Sequence, residues 1–169
     1  MKNTFKHLLI AALFSVVMPT QAAEQTYNFS GIFDSGFYNG ETFSGSFSFD
    51  DASIDNVDLD ITSLLSFNMN LLSTNYSLVN TITPPDVSFQ DGSFLGLSLS
   101  IDSVTPDIGF TFVAGSFDVS DAFLTYTTNL GSAGSGNIVY APIPEADTYA
   151  MFLAGLGVMG AVARRRKTA

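Results

Sequence analysis

Five aspartates within eleven positions, Asp50, Asp51, Asp55, Asp58 and Asp60, are the densest set of chemically active side chains in this sequence. Carboxylates crowded together without a counter-charge repel one another, and a hard cation such as Ca²⁺ relieves that repulsion. The five are therefore candidate calcium ligands. Their spacing is not that of an EF-hand, because the segment has no Gly at the sixth loop position and no Glu at the twelfth. The competing reading is a solvated acidic loop, with Asp58 and Asp60 on the outer face of a strand. Paired acids also suffice for glycoside hydrolysis. Here no Trp is present to line sugar subsites, and no Arg or His stands nearby to tune an acid. We expect no enzymatic activity. Tyr27, Tyr38, Tyr76 and Tyr126 could stack on sugar faces or close the edge of a core, and the sequence does not choose among them.

The charge distribution narrows the chemistry further. The formal net charge is −10, and the six basic residues are Lys2, Lys6, Arg164, Arg165, Arg166 and Lys167, with His7 the one histidine. From Glu24 through Ala163 there is no Lys, Arg or His, and the chain has no Cys. That stretch cannot build a Ser-His-Asp or Cys-His site, a Schiff base or a cationic oxyanion clamp. It lacks thiolate and imidazole ligands for zinc, copper or haem. It has no cation with which to neutralise phosphates, which excludes nucleic acid as a partner. Carboxylates, hydroxyls, amides and aromatic rings remain, and they suit calcium, neutral sugar faces and polymer contacts.

The elements that must position these groups read as strands. Tyr27, Phe29, Gly31 and Phe33 share one parity, as do Phe43, Gly45, Phe47 and Phe49 with hydroxyl residues between them. Such period-two alternation is produced by half-buried antiparallel strands. Val57, Leu59, Ile61, Leu65, Phe67, Met69 and Leu71 continue the odd parity with a break at Ser63, which predicts two strands or one strand with a kink, and Leu64-Leu65 leaves room for a helical turn. Tyr76 to Ile82 reads as a short strand closed by Pro84-Pro85. Val87 to Ile101 reads as a hairpin with Asp91-Gly92 at a type I′ turn. Strands follow from Phe110 and from Ala122, and the run from Gly131 to Gly136 reads as a flexible loop or linker. About eight to ten short strands predict an all-β antiparallel fold. A β-sandwich is the preferred arrangement, with a barrel-like meander as the alternative.

The two ends are of a different kind. Residues 1–23 have the charged start, the apolar run Leu8–Val17 and the small-residue cleavage site of a secretory signal peptide. A β-rich exported domain is expected over 24–141. From 142 to 169 a short Pro-Glu element, an apolar Gly-rich run and a basic cluster follow in order. The apolar run predicts a transmembrane helix over 148–163, stopped by Arg164, Arg165, Arg166 and Lys167. Gly155-Leu156-Gly157-Val158-Met159-Gly160 fits the dinucleotide-binding pattern by accident. That pattern needs a preceding strand, a following helix and an acidic residue about 20 positions on, and here only nine residues follow Gly160.

This composite end resembles the PEP-CTERM sorting signal of exported proteins in Gram-negative, polysaccharide-producing bacteria. Pro144 and Glu145 match the first two positions of the motif, and Ala146 stands where the family has its second Pro. The Leu153-Ala154-Gly155-Leu156-Gly157 core and the Arg run match as well. The resemblance implies recognition and processing by exosortase, a membrane-embedded protease. It also implies a transient stay in the inner membrane before release to the surface or medium, and a role with extracellular polysaccharide in biofilm or floc. A calcium- or glycan-binding surface module is the alternative, and a secreted glycosidase the more remote one.

Overall fold

The computed structural model describes residues 24–144 and 146–167. The expected signal peptide therefore lies outside the described residues, as does Glu145. Among the described residues nine strands are formed: β1 (Glu24–Phe33), β2 (Thr42–Asp50), β3 (Leu59–Leu71), β4 (Thr74–Ser77), β5 (Asp86–Gln90), β6 (Ser93–Val104), β7 (Asp107–Val113), β8 (Phe123–Thr127) and β9 (Gly134–Ile143). One helix, α1 (Ala146–Lys167), follows. The strands pair antiparallel in the order β2-β1-β9-β8-β7-β6-β5-β3, and β3 pairs back onto β2. Eight strands thus close on themselves, and β4 hangs on β3 outside the ring. The molecule is an all-β closed barrel and not the sandwich preferred from the sequence.

The physical reason lies in β3. Its 13 residues serve two neighbours in succession, β5 through Leu59–Ser63 and β2 through Leu64–Leu71. A single continuous strand so joins what would otherwise be two facing sheets. The changeover carries a bulge: Ser48 opposes Ser66 but Phe49 opposes Leu64, so Leu65 has no partner. A bulge adds a residue to one strand and increases its bend. It also reverses which parity faces inward. Leu64 is buried, as are Phe67, Met69 and Leu71, whereas Val57, Leu59, Ile61 and Leu65 are exposed. The stretch is one bent strand, and its odd-numbered parity faces inward only beyond the bulge.

The interior is packed with rings. An eight-stranded barrel is just wide enough for side chains to fill, and Phe29, Phe33, Phe43, Phe47, Phe49, Phe67, Phe110 and Phe112 do so, each at most 4% exposed. Phe29 sits between Phe67, stacked at 5.8 Å, and Phe112, edge-on at 5.2 Å. Rings this large fit only because the wall is thinned beside them. A Cβ on Gly31 would collide with the Phe43 ring, and one on Gly45 with the backbone oxygen of Asn68.

The barrel's two ends differ. At one, Tyr126 plugs the interior. Its hydroxyl donates to the Ser35 carbonyl at 2.9 Å and accepts from the Tyr38 amide at 2.7 Å. Gly134 to Gly136, expected as a flexible linker, is the start of β9 at this end. A Cβ on Gly134 would strike the Ser35 carbonyl, so the glycine serves close packing and not mobility. The opposite end holds the starts of β1 and β3, the β5–β6 hairpin and the end of β9. In that hairpin Asp91 and Gly92 both have positive φ, +50° and +77°, as a type I′ turn requires.

Helix α1 is longer than the expected 148–163, because Asp147 and the basic residues up to Lys167 are wound into it. Its apolar side chains Tyr149, Met151, Phe152, Leu153, Leu156, Val158 and Met159 are all exposed. The expectation of a transmembrane helix is not met: among the described residues no helix is long and apolar enough to cross a membrane. The charged residues at both ends, Asp147 and Arg164, leave only residues 148–163 as an uninterrupted uncharged run.

Candidate functional site at the barrel mouth and the C-terminal tag

At the open end, inward positions of β1 and β2 meet the loop that leads into β3. They enclose a cavity of 230 Å³ lined by Gln25, Tyr27, Phe49, Asp51, Ile54, Asn56, Phe89 and Gly92. Its depth is aromatic. Tyr27 stacks on Phe47 at 5.6 Å and lies 4.8 Å from Phe94, which in turn meets Tyr140 edge-on at 5.2 Å. Its rim is polar, with the Gln25 amide donating to the Asp51 carboxylate at 3.1 Å. Burial raises the pKa of the Tyr27 phenol. It pushes Tyr140 up further, against a weak opposing hydrogen bond from the Leu97 amide at 3.4 Å. Both hydroxyls are thus neutral donors at physiological pH. A larger groove of 460 Å³ runs along the outer wall between β1, β2 and β9, lined mainly by short outward side chains such as Ser30, Thr42 and Ser44.

Of the five aspartates only Asp51 lines this cavity, and the other four are engaged in the loop beside it. Asp50 accepts from the Ala52 amide at 2.9 Å and caps a single 3₁₀ turn over Asp51–Ser53. Asp55 accepts from the Val57 amide at 3.0 Å, and Asp60 from the Asn56 amide at 3.1 Å. Asp58 offers its backbone instead: its amide donates to the Asp91 carboxylate at 3.1 Å, and its carbonyl accepts from the Asp91 amide at 2.8 Å. These hydrogen bonds hold a loop in which Asn56 and Asp58 have positive φ. Short acidic side chains satisfy turn amides in this way. Among the described residues no three His, Cys, Asp or Glu side chains are grouped so as to hold a metal ion.

Of the four tyrosines singled out, only Tyr27 lines the mouth. Tyr126 and Tyr38 belong to the opposite plug, and Tyr76 is buried against Phe110 at 5.1 Å. The sequence reading missed Gln25 and Asn56. Gln25 was findable, since it shares the inward parity of Tyr27 and Phe29 at the start of β1. Asn56 was not, because only the folded loop brings it over the mouth.

The second feature is the C-terminal element. Pro142 and Ile143 are the last residues of β9 and pair with Tyr27 and Thr26 of β1. Pro144 is exposed directly after the strand, and Ala146 is already the first residue of α1. Arg164, Arg165, Arg166 and Lys167 form its last turn. Residues 142–167 match the PEP-CTERM protein-sorting motif. The chain thus joins a closed barrel to a C-terminal sorting tag. Its tag marks it for sorting through an exosortase system and for processing by an exosortase-type membrane protease. No curated protein and no solved structure matches the chain.

Proposed function

We propose that this is a non-enzymatic surface or matrix protein, delivered by its C-terminal tag and associated with extracellular polysaccharide in biofilm or floc. The match of residues 142–167 to the sorting motif is the observation that carries the reading. The absence of catalysis is supported by chemistry. The mouth contains one carboxylate, Asp51, among its lining residues, whereas glycoside hydrolysis takes two flanking the bond. No imidazole, amine or thiol lies in the sequence between Glu24 and Ala163 to supply another mechanism. Pro144→Ala or Glu145→Ala should leave the chain unprocessed in the cell envelope, read as full-length protein in membrane fractions. Unchanged delivery of both variants would sink the sorting role. The polysaccharide association is checked by whether the released barrel sediments with matrix polymer and leaves it on polymer digestion.

The mouth favours one second reading, a module that holds a neutral sugar. A ring face beside amides and a carboxylate is the combination that hydroxyl-rich rings use, apolar face on the aromatic and hydroxyls on the polar rim. The absence of any cation in the domain disfavours acidic sugars. Saturation-transfer NMR with a panel of neutral monosaccharides checks it, and a signal unaltered by Asp51→Asn and Gln25→Ala would refute it.

A further inference from the structure

The residues matched by the sorting motif begin inside the barrel. Pro142 and Ile143 are tag residues by the motif and strand residues by structure, paired with Tyr27 and Thr26. Only Pro144 and Glu145 separate Ile143 from the first residue of α1, and two residues span at most ~7 Å. A protease takes its substrate as an extended segment of several residues, held by main-chain hydrogen bonds of the kind that strand addition uses. An eight-stranded barrel cannot follow Pro144 into such a cleft.

We propose that the end of β9 must peel from β1 before the sorting protease can engage the tag, so that the barrel governs its own release. This rests on the tag reading given above. The strand end is built to open. Prolines at 142 and 144 carry no amide hydrogen, so Ile143 is the one residue of the three able to donate to the ladder. Ile143 is also 40% exposed, so little apolar surface holds it down. Strand ends with few buried contacts open at low cost, while the body of the strand stays closed. Upstream, β9 is anchored by Ile138 in the core and by Tyr140 against Phe94. Peeling therefore stops short of the residues that hold the barrel together.

The absence of cysteine makes the test clean. Thr26 and Ile143 are directly opposed, and opposed residues of antiparallel strands lie within disulfide reach. The full chain carrying Thr26→Cys and Ile143→Cys is exported in cells that contain the sorting protease. It is expected to stay full length while the disulfide is intact and to be processed once reductant is added. A control pair, Asn28→Cys with Ser46→Cys, staples β1 to β2 instead and is expected to be processed like the wild type. A short Gly-Ser insertion between Ile143 and Pro144 is expected to restore processing of the Thr26–Ile143 lock without reductant. Processing of that lock at the wild-type rate overturns the inference, as does failure of the insertion to rescue it. A wild-type chain left unprocessed with the protease present refutes the sorting reading and this inference with it.

Discussion

Tyr76 and Tyr126 are each 2% exposed, yet their hydroxyls have opposite roles. Tyr126 closes the plugged end through two short hydrogen bonds, to the Ser35 carbonyl and from the Tyr38 amide. The Tyr76 hydroxyl is buried with no partner. Removing a hydroxyl that satisfies buried groups costs about 1–3 kcal/mol, whereas removing an unsatisfied one is neutral or favourable. Tyr126→Phe should thus lower the denaturant midpoint clearly, and Tyr76→Phe should leave it level or raise it. An equal loss in both would show that ring packing alone matters. Tyr27 and Tyr140 bring a pH dependence. Burial raises both phenols above the ordinary 10.0. The folded state then holds their protons more tightly than the unfolded chain does, so stability falls as pH rises above 10.0 and is unaffected below it. An alkaline titration should show part of the tyrosinate absorbance appearing only with unfolding. None of this was legible in the sequence, where Tyr126 and Ser35 stand 91 residues apart.

At the scale of elements, the sequence showed much and misread part of β3, the segment 76–82, where a 3₁₀ turn over Leu78–Asn80 follows β4, and the start of β9. Alternation marked β1, β2 and β6 correctly, and Asp91-Gly92 marked the hairpin turn, because a positive φ at both positions needs such residues. Period two says that faces alternate, but it cannot say which face is inside. In β3 the two candidates are adjacent leucines, and the bulge between β2 and β3 chooses Leu64. The turn from β3 to β4 was equally hidden, since Leu72 and Ser73 adopt positive φ without glycine. The inversion is testable by a pair of substitutions. Leu64→Ala removes a side chain 8% exposed and should cost about 2–5 kcal/mol. Leu65→Ala removes one 55% exposed and should change stability by no more than about 0.5 kcal/mol. Chemical denaturation of the two variants decides the matter, and the reverse order would place the bulge elsewhere.

For the whole molecule, closure explains both what the fold can do and how it bears its charge. With every ring strand hydrogen-bonded to two neighbours, no strand of the ring is left as a free edge over its whole length, which limits edge-to-edge association in a protein without disulfides. The same closure leaves an aromatic-floored mouth, and it lies at the end from which the tag departs, because Tyr27 both lines the cavity and pairs with Pro142. Between Glu24 and Ala163 the sequence sets no Lys, Arg or His beside the carboxylates. The acidic loop at the mouth handles this by spreading Asp50, Asp55 and Asp60 over separate turn amides. Diffuse repulsion of this kind is relieved by screening and not by a coordinated ion. Thermal stability should then rise with ionic strength, and calcium, magnesium and sodium chloride matched for ionic strength should raise the melting temperature alike. A coordinated calcium would instead add RT ln(1 + [L]/Kd) of stability, seen as an increment specific to calcium, saturable and abolished by chelator. A melt that follows ionic strength alone would confirm that these aspartates shape the mouth without forming a metal centre, and a calcium-specific increment would overturn that account.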